Sequence, residues 1–170
     1  MILDWPSWAQ AVLIYVVIQR IAELVYATAN TRRLLAEGGR EHGRGHYPLF
    51  ILLHGSWLVA IALLARPPAQ PDLWLLAAFA GAQLLRFWTL ASIGRWWTTR
   101  IISAAHFPRV KKGPYRFIAH PNYTVVVLEI ALLPLLLDAP FVALVFSIAN
   151  AILLAWRIGV EASVLQERGS

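Results

Sequence analysis

Five long apolar stretches alternate with shorter polar stretches along the chain, at residues 8–27, 47–65, 73–93, 121–137 and 141–158. A helix of about 20 mostly apolar residues crosses the hydrocarbon core of a bilayer. The pattern therefore predicts an all-α integral membrane protein with about five transmembrane helices, of which the last two form a C-terminal helical hairpin. The last helix is expected to continue into water as far as Glu167. We treat 1–170 as a single domain, with three spans in 1–93 and a polar segment plus the hairpin in 94–170.

Composition strengthens the membrane assignment. Hydrophobic residues make up 59% of the chain, charged residues only 14%, and the mean hydropathy is +0.60. Soluble domains carry about a quarter charged residues. The net charge of +6 does not indicate nucleic acid binding, because the basic residues lie between apolar stretches rather than along one soluble face. The chain has no cysteine, which excludes disulfides, thiolate nucleophiles and Cys-ligated metals, and its histidines show no metal-ligand spacing.

The distribution of basic residues predicts the orientation, because Lys and Arg concentrate on the cytoplasmic side of membrane proteins. Segment 28–46 contains four Arg and two Glu, and segment 94–120 contains six basic residues and no acid. The other two connections together carry one base and two acids. This alternation predicts an outside N-terminus and a cytoplasmic C-terminus. Frequent Arg and Ala favour a bacterial source, so we expect the inner (plasma) membrane.

Ionisable side chains within the spans are expected to face the interior of the bundle, because their exposure to lipid is costly. Arg20 and Glu23 lie three residues apart on one helix and can form an ion pair. Arg86 and Glu129 can pair between the third and fourth spans, either as a structural contact or as part of a binding pocket. His54 fits an interior hydrogen-bonded residue better than a catalytic one.

The C-terminal half contains a motif that bears on function. Segment 112–123 reads KGPYRFIAHPNY, and after the hairpin follows RIGVE at 157–161. By itself, the i, i+4 spacing of Arg157 and Glu161 indicates only a surface ion pair of little energetic weight. In order and spacing, however, the segments resemble the isoprenylcysteine carboxyl methyltransferase family, whose pattern is G-x-Y, R-H-P-x-Y, two helices and R-x-x-x-E-E.

Two further segments, QRIAE at 19–23 and GRWW at 94–97, make the chain similar to the small bacterial branch of that family. Members of this branch have been linked to O-methylation of phenolic lipids made by type III polyketide synthases. Two positions depart from the family pattern. Ala119 replaces the Arg before His-Pro, which removes a positive charge near a cofactor carboxylate, and Ala162 replaces the second Glu.

The resemblance implies a cytoplasmic pocket for S-adenosylmethionine between the basic segment and the last two helices. A helix start suits the carboxylate of this cofactor, a protein carboxylate suits its ammonium, and aromatic faces suit its adenine or sulfonium. Arg157 is implied as the substrate-binding cation, and Arg157 and Glu161 are the candidate catalytic residues. His54, Arg86 and Glu129 are further candidate substrate-binding residues inside the bundle. The implied cofactor-binding residues are Arg109, Val110, Tyr115, His120, Pro121, Asn122, Tyr123 and Glu161.

The resulting functional hypothesis is S-adenosylmethionine-dependent O-methylation of a lipophilic acceptor, either an isoprenylcysteine-like carboxylate or a phenolic lipid. A carboxylate is ionised at neutral pH and needs only a cation such as Arg157. A phenol benefits from a base, for which Glu161 and His54 are candidates. The expected partners are this acceptor and membrane lipid, and no oligomeric state is predicted. The alternative is a membrane protein that binds a lipid without catalysis, and cofactor affinity separates the two; a transporter is disfavoured because no internal repeat is visible.

Overall fold

The computed structural model describes residues 2–104, 106–108 and 110–167, without the side chains of His46 and residues 165–167. Within this part the chain is mainly helical, as the apolar pattern predicts, and the predicted all-α class is confirmed. The five α-helices are α1 (Ser7–Ala36), α2 (Tyr47–Leu64), α3 (Leu73–Ile93), α4 (Pro121–Leu136) and α5 (Pro140–Glu167). Two three-residue strands, β1 (Arg40–His42) and β2 (Ile101–Ser103), and four short 3₁₀ helices complete the elements.

Four of the helices are long and apolar enough to cross a membrane: α1, α2, α3 and α5. Helix α4 is shorter, with 16 residues. At 1.5 Å per residue α4 is about 24 Å long, less than the hydrocarbon thickness of about 30 Å. Its last residue, Leu136, and the following Leu137 nevertheless lie in the same buried cluster as Ala9 of α1 and Ala65, which directly follows α2. The membrane-protein architecture is therefore clear, whereas five full spans stay a prediction.

Helix α1 continues nine residues beyond the apolar stretch that predicts it, through 28–36. Tertiary contacts stabilise this extension, since Leu34 is buried and Asn30 Nδ2 donates to the Trp97 carbonyl oxygen at 2.9 Å. Beyond α1, strand β1 pairs antiparallel with β2, with Arg40 opposite Ser103. The two basic segments therefore lie together at one end of the bundle, here called the loop end.

Acidic residues of the first basic segment pair with basic residues of the second. Arg100 Nη1 donates to Glu41 Oε1 at 2.9 Å, and Arg95 forms an ion pair with Glu37. Each segment by itself carries a net positive charge. The structure shows that part of this charge is neutralised between the segments. The Arg100–Glu41 contact links β1 to the residue before β2, and the Arg95–Glu37 pair links the residue after α1 to the turn after α3.

The predicted C-terminal hairpin is confirmed, with a tight turn between α4 and α5. Asp138 adopts the left-handed conformation with φ of +56°, and the Ala139 amide donates to the Pro134 carbonyl oxygen at 2.7 Å. Bonding of this kind satisfies the last carbonyls of a helix. The hairpin returns α5 to the loop end, so the start of α4 and the C-terminal part of α5 lie beside each other.

Candidate active site

The motif segment before α4 is fixed against α3 by a glycine. Gly113 has φ of +58°, and a Cβ atom added to it would lie 1.9 Å from Ser92 Oγ. Only a residue without a side chain fits both the left-handed conformation and this close approach. Gly113 begins a 3₁₀ helix, Gly113–Arg116, in which Pro114 is buried. The packing on α3 therefore sets the position of Tyr115.

Burial is the main reason why the pKa of Tyr115 is raised to about 12, and the negative charge of Glu161 adds to the effect. The Tyr115 phenol is therefore neutral at physiological pH. It can donate a hydrogen bond or offer its aromatic face, but it does not supply a negative charge to the site.

His120 and Pro121 begin α4 and bring the motif up to α5. The His120 ring stacks on the Tyr123 ring, with centroids 5.1 Å apart and planes inclined by 13°. His120 Nδ1 lies 3.7 Å from Glu161 Oε2. Asn122 and Tyr123 occupy the first turn of α4, where backbone amides lack helical carbonyl partners. The start of α4 and the C-terminal part of α5 are here called the open end of the hairpin. A histidine, a carboxylate and free backbone amides therefore lie together at this open end.

The Tyr123 hydroxyl joins Arg157 and Glu161. Arg157 Nε donates to the Tyr123 hydroxyl oxygen at 2.8 Å, and this hydroxyl donates to Glu161 Oε2, also at 2.8 Å. Arg157 Nη1 further donates to the Thr99 carbonyl oxygen at 2.9 Å, and its guanidinium lies 5.4 Å from the centre of the Phe50 ring. Arg157 is only 7% exposed, so the interpretation of a surface ion pair is wrong for this residue.

A cavity of about 270 Å³ extends from Arg157 and Tyr123 into the bundle. Its walls are mostly apolar, and it ends at charged side chains of α1 and α3. His54 lies on the α2 wall, four residues after Phe50. The lining residues include Arg20, Ile21, Glu23, Leu24, Phe50, Ile51, His54, Leu58, Arg86, Thr99, Asn122, Tyr123, Val126, Leu154 and Arg157.

The charged end of the cavity is lined by Arg20, Glu23 and Arg86. Together with the buried Glu129 they form a group here called the four-charge cluster. The two pairs predicted from the sequence exist, since Arg20 Nη1 lies 3.1 Å from Glu23 Oε2 and Arg86 Nε donates to Glu129 Oε1 at 2.6 Å. The structure adds cross-links: Arg86 Nη1 donates to Glu23 Oε2 at 2.8 Å, and Arg20 pairs with Glu129. Two cations and two anions thus form one neutral group.

The structure assembles most of the predicted site residues. Tyr115, His120, Pro121, Asn122, Tyr123, Arg157 and Glu161 lie around the open end of the hairpin, and His54 and Arg86 line the cavity. Glu129 is 2% exposed and is held by the arginines. Val110 is half-buried in the connection before Gly113, and Arg109 lies outside the described residues. The two departures from the family pattern, Ala119 and Ala162, are exposed.

Two contacts of Arg157 are not predicted by the sequence. Phe50 lies within an apolar stretch, where an aromatic residue gives no signal, and the Thr99 contact uses a backbone carbonyl that any residue type provides. Among the described residues, no group of three or more His, Cys, Asp or Glu side chains is arranged to hold a metal ion.

Comparison with known proteins assigns the family. Residues 74–167 match the model of the isoprenylcysteine carboxyl methyltransferase (ICMT) family, which covers more than half of the chain. An uncharacterised protein of Bacillus subtilis (strain 168), YpbQ, is 39% identical over 155 residues, covering 89% of this chain and 92% of that protein. No solved structure matches the chain. The matched region contains the Gly113 segment, the α4–α5 hairpin and the Arg157–Tyr123–Glu161 linkage, and the chain belongs to the isoprenylcysteine carboxyl methyltransferase family.

Proposed function

We propose that the chain is an S-adenosylmethionine-dependent O-methyltransferase that acts on a lipophilic acceptor in the membrane. The family supports membrane methyl transfer. The observation that carries the finer proposal is the Arg157–Tyr123–Glu161 linkage, because it connects a polar site at the loop end with a mostly apolar cavity. Such an arrangement suits one polar and one lipophilic substrate that meet at a single point.

The residues at the open end of the hairpin fit the cofactor. The Glu161 side chain keeps 31% exposure and suits the ammonium group, and the first-turn amides of α4 suit the carboxylate. The rings of Tyr115, His120 and Tyr123 offer aromatic faces to adenine or to the sulfonium cation. The bound cofactor supplies a methyl group on a sulfonium that is already activated. The protein must then orient the acceptor oxygen and exclude water.

The cavity fits an acceptor with an apolar body. The acceptor oxygen would lie near Arg157, whose guanidinium is fixed by Tyr123 and Thr99 and can stabilise negative charge on that oxygen. A carboxylate needs no more than this cation. For a phenol, His54 is a candidate base, because its Nδ1 donates to the Phe50 carbonyl oxygen and Nε2 then carries the lone pair of the neutral ring.

A noncatalytic lipid-binding protein would also use the cavity, but it has no need for the polar site beside Glu161. Cofactor binding therefore distinguishes the two functions. Calorimetric titration of the purified protein with S-adenosylmethionine is expected to show binding, and Glu161→Gln is expected to weaken it roughly tenfold to hundredfold, the loss of a charge-assisted contact. Absence of binding to the wild-type protein would contradict the proposed function.

Methyl transfer tests the acceptor side. Arg157→Ala is expected to lower the rate at saturating cofactor about 100-fold to 1,000-fold, because it removes a cation that acts on the reacting oxygen. Arg95→Ala is the matched control, since Arg95 is also at the loop end but is half-exposed and pairs with Glu37. Rates with labelled cofactor would be measured for a prenylcysteine and an alkylphenol. Equal rates for Arg157→Ala and Arg95→Ala would remove Arg157 from the proposed site.

A further inference from the structure

One edge of the cavity lies at the lipid-facing surface of α2. Gly55 lines the cavity there and is exposed. Of its neighbours on the helix surface, at i±3 and i±4, Ile51 and Leu58 also line the cavity. The other two neighbours, Leu52 and Val59, are exposed and are not among the described residues that line it. Gly55 therefore lies where the cavity-facing side of α2 borders its lipid-facing side.

Helix α1 forms the opposite side of this edge. Ile21 lines the cavity and is exposed, and its neighbour Leu24 lines the cavity as well. Its other neighbours on the helix surface, Ile18 and Val25, are exposed and are not among the described lining residues. The cavity therefore opens towards lipid between Ile21 and Gly55, and this opening is here called the membrane mouth.

The deep end of the cavity is unfavourable for an apolar body. Three members of the four-charge cluster line it, and hydrocarbon placed against them would bury charged groups without giving them a new partner. An acceptor with its oxygen at Arg157 must therefore extend its apolar body through the membrane mouth. Phe50, whose ring centre lies 5.4 Å from the Arg157 guanidinium, precedes Gly55 by five residues on α2. The body thus passes Gly55 about 7.5 Å beyond the level of Phe50, at 1.5 Å per residue.

Gly55 leaves the membrane mouth wide. Its φ is outside the left-handed range, and no atom of the described residues lies within 4 Å of a Cβ added to it. Neither the backbone conformation nor close helix packing therefore requires a glycine here. The space that a side chain would fill is free for the acceptor. The other α2 residues that line the cavity have large side chains: Tyr47, Phe50, Ile51, His54 and Leu58.

We infer that Gly55 is a specificity-determining residue, which admits acceptors whose apolar body is branched where it leaves the cavity. This inference rests on the proposed function, because it places the acceptor oxygen at Arg157. A methyl-branched isoprenoid chain or a body with a quaternary carbon needs more width than a straight alkyl chain. A large side chain at position 55 would narrow the membrane mouth opposite Ile21 and exclude the branched body before the straight one.

The test uses two pairs of acceptors that share a polar group and differ in width. 4-tert-Octylphenol and 4-n-octylphenol are isomers, and N-acetyl-S-farnesylcysteine and N-acetyl-S-dodecylcysteine have main chains of equal length. Two pairs are used because a phenol and a carboxylate are both candidate acceptor groups. Dissociation constants are measured by calorimetry with purified protein in detergent. The branched preference is the affinity ratio within each pair, and partition into detergent affects this ratio equally in every variant.

Gly55→Leu is the test variant. Leucine favours a helix more than glycine does, so α2 is expected to form. For each pair that binds the wild-type protein, the branched preference is expected to fall roughly fivefold to hundredfold, because the branched body competes with the new side chain for space. Gly81→Leu is the matched control and is expected to keep the wild-type preference. Gly81 also lies inside a helix with no described atom within 4 Å of an added Cβ, but it is not among the described residues that line the cavity.

A second variant tests whether the effect arises at the membrane mouth. Ile21→Ala widens the mouth from the α1 side, and it should cost little stability because Ile21 is 59% exposed. The double variant G55L/I21A is therefore expected to regain most of the branched preference that Gly55→Leu loses. A loss caused by a distorted α2 would not be regained in this way.

The wild-type preference in Gly55→Leu would overturn the inference. So would an equal loss in Gly81→Leu, a loss that G55L/I21A does not reduce, or the absence of binding of all four acceptors to the wild-type protein. Methyl transfer from labelled cofactor is measured in parallel. A preference that Gly55→Leu changes, without transfer to any of the acceptors, would count against the proposed function and leave the role of Gly55 in place. Transfer with an unchanged preference would do the reverse.

Discussion

At the scale of single residues, the Tyr123 hydroxyl is the central atom of the proposed site. It accepts from Arg157 Nε and donates to Glu161 Oε2, so it fixes the cation and the carboxylate relative to each other. Arg157 and Glu161 lie one helical turn apart and could otherwise rotate independently. The Tyr123 ring also stacks on His120. One side chain thus orients groups that face both the polar site and the cavity.

Removal of this hydroxyl is expected to reduce catalysis more than stability. Tyr123→Phe keeps the ring that stacks on His120 but loses two hydrogen bonds to charged groups, so the transfer rate should fall roughly tenfold to hundredfold. Initial rates and melting temperatures measured together check this prediction. Tyr15→Phe is the matched control, because the Tyr15 hydroxyl donates to Gln83 Oε1 at 3.0 Å, away from the hairpin's open end. Unchanged turnover in Tyr123→Phe would show that the linkage does not act in the reaction.

At the scale of elements, the short helix Gly113–Arg116 connects the fold to the site. It packs on α3 through Gly113 and presents Tyr115 beside the α4–α5 hairpin. The α4–α5 hairpin has a related consequence, since it brings the motif at the start of α4 close to the C-terminal part of α5. The positions of three elements therefore decide whether the aromatic residues and Glu161 meet.

Gly113→Ala is expected to displace this element. The new Cβ would need a left-handed backbone conformation and would collide with Ser92 Oγ. We expect a loss of at least about 1 kcal/mol in stability and weaker cofactor binding through Tyr115. Thermal unfolding and calorimetric titration measure the two effects. Gly81→Ala, in the interior of α3 with nothing within 4 Å of the added Cβ, should leave cofactor binding unchanged. Wild-type stability and affinity in Gly113→Ala would contradict this account of the turn.

At the scale of the whole molecule, the two ends of the bundle differ in chemistry. The loop end combines the β1–β2 pair, the start of α4 and Arg157 near the end of α5. The opposite end carries the connection between α2 and α3, where Trp8 Nε1 donates to the Ala69 carbonyl oxygen at 3.2 Å. Because basic residues concentrate at the loop end, we propose that this end faces the cytoplasm, where a soluble cofactor is available.

Single cysteines test this orientation, since the natural chain contains none. Lys111→Cys and Ala69→Cys place thiols at exposed positions of opposite ends. In intact bacterial cells, an impermeant thiol reagent is expected to label the Ala69 variant and to label the Lys111 variant only after the membrane is opened. Labelling of both variants from outside would show that the two ends of the bundle do not lie on opposite sides of the membrane. Labelling of only the Lys111 variant would show that the loop end faces outside.

The sequence by itself determined the helices and the motif. Runs of apolar residues locate all five helices, and the spacing of charges on single helices predicts the Arg20–Glu23 pair. These features are local, because helix length and i, i+3 or i, i+4 spacing depend on neighbouring residues alone. The order of the Gly-x-Tyr, His-Pro and Arg-x-x-x-Glu segments likewise predicts the family that the comparison assigns.

Only the tertiary structure decided how these elements meet. The β1–β2 pair, the extension of α1, the fully cross-linked four-charge cluster and the cavity all join residues far apart in the chain. The contacts of Arg157 with Tyr123, Thr99 and Phe50 also join residues far apart in the chain. Their formation depends on the rotation and depth of each helix relative to its neighbours. Periodicity gives the face of a helix that is apolar, but in a membrane bundle both the interior and the lipid are apolar, so the sequence does not specify which polar side chains come into contact.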